Sequence, residues 1–150
     1  MDAPLRSPIL LIIGGLGSFG VAGLHVAILF AGAPAYRFFG AGEGMARAAE
    51  SGSWRPAMVT SGLAMLFALW GWYGLSGAGI GPRLPLLPHA LIAIAAIYLA
   101  RGAVLGYDLY HLITDFGGRS PKWALFSATA LLIGLGFATG AAQLISPTPP

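Results

Sequence analysis

The chain has 150 residues, of which 57% are hydrophobic and only 9% charged, and its mean hydropathy is +0.78; a soluble domain carries roughly 25% charged residues. The formal charge of +3 comes from eight basic and five acidic side chains, too sparse for a nucleic-acid footprint, and the absence of cysteine removes disulfide and thiolate chemistry. These values predict one all-α domain in a bilayer, a polytopic membrane protein built as a four-transmembrane-helix bundle.

The first span is expected over about residues 9–33, an uncharged run longer than the ~20 residues that cross hydrocarbon, and too long to be a cleaved signal segment. Gly14, Ser18 and Ala22 recur every fourth residue and form a ridge that admits a neighbouring backbone. His25 is the only ionisable group of this run. It is either bonded to a nearby carbonyl or hydroxyl, or free to act as a ligand.

The connection that follows is long but not featureless. Glu43, Arg47 and Glu50 give an i,i+4 pair and then an i,i+3 pair, predicting a short interfacial helix between spans one and two that ends near Gly52. Tyr36, Phe38, Phe39 and Trp54 are residues that favour a membrane interface, and Arg37 and Arg55 are placed to reach phosphates. Ser53 ahead of Pro56 marks the start of the second span, about 56–76. Trp70, Trp72 and Tyr73 near its end read as an interfacial belt, and GAGIGPRLPLLP as a stiff turn. The third span is expected over 86–113. The fourth, 123–145, carries Gly136 and Gly140 as a GxxxG pair.

The third span holds the most polar material. With Arg101 taken as zero, Asp108 falls at about −20°, Asp115 at about −40° and His111 at about −80° on a helical wheel. Gly102 and Gly106 lie on nearly the opposite side, as a second close-packing pair. An arginine within the bilayer costs about 2.5–3.5 kcal/mol, so Arg101 is expected to pair or to snorkel. Asp108 is about 10 Å along the axis and needs side-chain reach or water; Glu43 or Glu50 folding back from loop one is the other choice. By depth, His25, Thr60, Arg101, Ser127 and Thr129 are placed to line a vestibule open on the side of loops one and three.

Arg37, Arg47, Arg55, Arg119 and Lys122 fall on that side, against Arg6 and Arg83 on the other. The positive-inside rule therefore puts loops one and three in the cytoplasm and both termini outside.

The run YRFFGAGEGMARAAESGSW, then GLSGAG, RLPLL and IYLARG, resembles a family of small four-span bacterial inner-membrane proteins of no assigned activity. The resemblance covers most of the chain to about Gly102. It implies that Tyr36, Arg37, Gly40, Gly42, Glu43, Arg83 and Arg101 belong to a recurring pattern.

The leading expectation is a protein that binds or moves a small amphiphile or anion, such as a lipid or isoprenoid, in this vestibule. Arg101 would hold a negative group with Arg37 or Glu43 at the rim, and His25, Asp108, His111 and Tyr107 complete the candidate ligand set. Membrane lipids are the expected partners, nucleic acid is not, and no cofactor is expected. Metal ligation by Asp108, His111 and Asp115 has less behind it, since no HExxH or second histidine accompanies them. Two other classes stay open. One is an oligomeric ion channel or accessory subunit assembled through Gly102, Gly106, Gly136 and Gly140. The other is a lipid-modifying enzyme using His111 with Asp108 or Asp115.

Overall fold

The computed structural model describes residues 8–114 and 120–146. Among these residues every regular element is a helix: α1 (Ile9–Ala31), α2 (Ala33–Phe38), α3 (Glu43–Glu50), α4 (Arg55–Gly77), α5 (Leu87–Ala103), α6 (Leu105–Thr114) and α7 (Lys122–Ile145). Four segments are long and apolar enough to cross a membrane, with α5 and α6 counting together as Leu87–Thr114. Along them Phe30, Met65, Ile113 and Leu132 stand well exposed. Such side chains would oppose solubility in water but lie at no cost against lipid tails. The chain is a multi-pass membrane protein of the expected all-α class.

Between the first and second spans lie two short helices where the sequence pattern predicts one. Gly32 adopts φ 67°, a conformation that glycine reaches without a Cβ penalty, and it ends α1. Pro34 then falls in the first turn of α2, where its missing N–H is no loss. α3 ends at Ser51 and Gly52, the latter at φ 75°. The Arg55 amide then donates to Ser53 Oγ as α4 begins.

The described residues form two compact units. One takes the chain to Gly17 and again from Gly71, and so holds the start of α1, the end of α4, and α5 to α7. Its helices meet through small residues. A Cβ on Gly74 would fall 2.7 Å from the Gly15 Cα, and one on Gly102 would fall 2.6 Å from the Leu131 Cα, so α1 with α4, and α5 with α7, approach backbone to backbone. Gly136 lies against the Leu10 carbonyl and Gly140 against the Leu11 side chain, while Gly106 faces open space. Tyr98 and Phe137 stack at 6.1 Å in the same unit.

The turn between α4 and α5 is tied down by side chains. Ser76 Oγ donates to the Pro82 carbonyl and accepts from the Leu84 amide, and Tyr73 donates to the Pro85 carbonyl. Tyr73, expected from sequence to sit in an interfacial belt, is thus a fastener of this turn. Val104 interrupts the third span between α5 and α6, flanked by Gly102 and Gly106, whose low helix propensity favours such a break.

The other unit, Ser18–Trp70, holds the rest of α1, then α2, α3 and the start of α4. Ile28, Ala33, Ala35, Tyr36 and Ala46 form its core, with Phe39, Met45 and Ala49 packed against it. Tyr36 is only 3% exposed, which removes it from the interfacial set expected from sequence; Phe38 and Trp54 are exposed as that set requires.

Candidate functional site

In the Ser18–Trp70 unit, α2 and α3 are joined by one guanidinium. Arg37 Nε and Nη2 each donate to Glu43 at 2.9 Å, while Nη1 and Nη2 donate to Glu50 at 2.7 and 3.0 Å. This planar fork matches carboxylate geometry twice over. The hydrogen bonds from Arg37 hold both carboxyls below their usual range, and those two acceptors hold the guanidinium further above its own. Arg47 adds an i,i+4 pair with Glu43 at 3.4 Å. Glu50, expected to pair with Arg47, instead reaches Arg37. The four charges sum to zero.

Beside this clamp lies an open groove of about 430 Å³, lined by α1, α2, α3 and α4 residues of the same unit. Its wall is mainly apolar, through Ile28, Phe39, Met45, Val59 and Leu63. Three polar side chains interrupt it: His25, Tyr36 and Thr60. Thr60 Oγ1 and the Tyr36 hydroxyl are bonded at 3.1 Å, and both residues are buried. His25 Nδ1 lies 2.8 Å from the Val21 carbonyl. A carbonyl only accepts, so Nδ1 carries the proton, and Nε2 of the neutral ring is an acceptor. The imidazole also packs at 5.0 Å against Phe67, which in turn meets Trp70 edge-on. The local carbonyl bond and the position on the groove wall are thus both properties of His25.

The second polar cluster belongs to the other unit. Arg101 Nη1 donates to Ser127 Oγ at 2.6 Å, and the Ser127 hydroxyl donates to Asp108 Oδ2. One hydroxyl spends its lone pair on the cation and its proton on the anion, spanning the separation that the helix imposes between Arg101 and Asp108. Glu43 and Glu50, the other partners considered for Arg101, belong to the Arg37 clamp. Asp108 is 2% exposed and Ser127 0%. Arg101 is exposed and lies at the middle of the Leu87–Thr114 span.

Two further candidates, Tyr107 and His111, lie on α6. His111 sits edge-on to Tyr107 at 4.3 Å and to Tyr110 at 5.3 Å. Asp115 lies outside the described residues. Among the described residues no group of three or more side chains is placed to hold a metal ion.

Sequence reasoning did not pick out Ser127 as a bridge or Glu50 as the second arm of the Arg37 clamp. Gly32 and Pro34 do mark a new helix in the sequence, but the reach of Arg37 from α2 to Glu50 on α3 is not local and leaves no such mark. Comparison with known proteins finds no matching family model, no matching curated protein and no matching solved structure.

Proposed function

We propose that this protein binds a small amphiphile in the groove of the Ser18–Trp70 unit. The observation that carries the proposal is the groove itself. Its volume of about 430 Å³ falls within the roughly 300–1,000 Å³ of small-molecule sites, and its wall combines apolar side chains with a few polar groups. The flanking clamp fixes α2 to α3, and with them Phe39 and Met45 of the wall. The family resemblance and the distribution of basic residues support a bacterial inner membrane, with loops one and three cytoplasmic.

Purified protein in detergent, mixed with farnesol, farnesyl methyl ether or farnesyl phosphate and examined by native mass spectrometry, tests the proposal. At least one probe is expected to form a one-to-one complex with the wild type. Leu63→Trp, which fills the groove from its wall, is expected to abolish it while circular dichroism stays unchanged. A complex that survives this substitution in full would sink the proposal.

A second reading has its own observation: Arg101 is exposed at mid-span on α5, and Gly106 on α6 faces open space. In that reading the surface of α5 and α6 meets another subunit, of the same or a different chain. A strictly monomeric native mass in mild detergent, and in membrane-derived nanodiscs, would dismiss it.

A further inference from the structure

We infer that the groove selects an uncharged lipophilic alcohol, read through its hydroxyl, over an anionic lipid. The inference rests on the binding proposed above and supplies the head-group chemistry.

The balance of donors and acceptors on the wall leads to it. Tyr36 and Thr60 together own two hydroxyl protons, and the single bond between them uses one. Whichever of the two donates, one O–H is left without a protein partner among the described residues. The His25 imidazole is fixed by its Nδ1–H bond to Val21, so in the neutral ring Nε2 is an acceptor, also without a protein partner among the described residues. All three residues line the groove. One unspent donor and one unspent acceptor on an otherwise apolar wall complement a group that both accepts and donates, which is the hydroxyl of an alcohol.

Charge excludes the competitors. No lysine, arginine or carboxylate is among the lining residues. The nearest cation in sequence to Tyr36, Arg37, already gives four hydrogen bonds to Glu43 and Glu50. An anionic head group would therefore enter a mainly apolar wall with no counter-charge, or displace two carboxylates from a fork that fits them. A cationic head group finds no carboxylate there. An ether or ester oxygen accepts the spare O–H but offers nothing to His25 Nε2, leaving that acceptor unpaired.

The same three probes separate this inference from the binding it rests on. Wild-type protein is expected to bind farnesol about tenfold more tightly than its methyl ether, the factor that one ordinary hydrogen bond supplies, and more tightly still than farnesyl phosphate. His25→Leu is expected to abolish the preference for farnesol over its ether, read as the ratio of the two affinities in the same variant. Tyr36→Phe combined with Thr60→Val, which removes both hydroxyls and with them the spare donor, is expected to weaken both. If farnesyl phosphate binds best, or the alcohol and ether bind equally to wild type, the head-group inference is overturned while the groove keeps its ligand. If none of the three binds, or if all bind undiminished after Leu63→Trp, the binding proposal falls and takes the inference with it. The wild-type comparison decides the matter even where a substituted chain fails to fold.

Discussion

At the scale of single residues, Ser127 carries the tightest energetic requirement. Its hydroxyl bonds a cation on α5 and an anion on α6 together, and it does so from the buried face of α7. Ser127→Ala deletes both bonds and removes a donor from a buried carboxylate, so it is expected to lower stability by about 1–3 kcal/mol, measured as unfolding in mixed micelles. A change no larger than that of Thr129→Ala, whose hydroxyl bonds only its own helix at the Leu125 carbonyl, would refute this role. The wheel geometry correctly raised the question of how Arg101 is neutralised, because periodicity places Asp108 on the same meridian at too great a distance. It could not supply the answer, since nothing in a one-dimensional pattern says which serine of a later helix stands between them.

At the scale of elements, the α2–α3 pair is held by charge as well as by the Tyr36 and Ala46 core. Glu43 and Glu50 have their carboxyls lowered by Arg37 in the folded chain, so the unfolded chain binds more protons in the acid range. Their contribution is complete above the ordinary carboxylate pKa of about 4.3 and is lost as the pH falls through the lowered folded values. Protection factors for hydrogen exchange in residues 33–50 are expected to fall on acidification below that value, relative to α7 in the same sample. Glu50→Gln is expected to show a smaller fall, and raised salt should weaken the clamp at neutral pH, because its side chains are 40–51% exposed. Equal acid sensitivity in wild type and variant would rule the clamp out as its source. The i,i+4 pair of Glu43 with Arg47 is the part of this arrangement visible in sequence, being local. The Glu50 contact depends on a chain reversal between α2 and α3 and is not. The glycine pairs divide in a similar way: their spacing marks close packing, but not the partner. Gly102, Gly136 and Gly140 are all packed against helices of their own chain, and only Gly106 stands open.

At the scale of the whole molecule, the number of spans was the most legible feature, because apolar runs of this length, with few charges, match the thickness of a bilayer. The groove was the least legible, since its wall draws on residues from His25 to Leu63 that share no sequence period. The orientation proposed from the basic residues is open to a direct test, helped by the lack of native cysteine. A single cysteine at Ser51 is expected to resist a membrane-impermeant maleimide added to intact cells, and one at Ile80 to react. The reverse pattern would invert the topology.

The Arg101–Ser127–Asp108 linkage finally bears on how the chain enters its membrane. Two of its three members reside in the third span and the third in the last. A ribosome-bound chain that has released only three spans holds an arginine and an aspartate not yet joined by their hydroxyl. Each ion separately opposes partitioning into hydrocarbon by about 2.5–3.5 kcal/mol at a helix centre. Arrival of α7 supplies a hydroxyl that bonds both, so emergence of the fourth helix is expected to favour lateral release of the third from the insertion machinery.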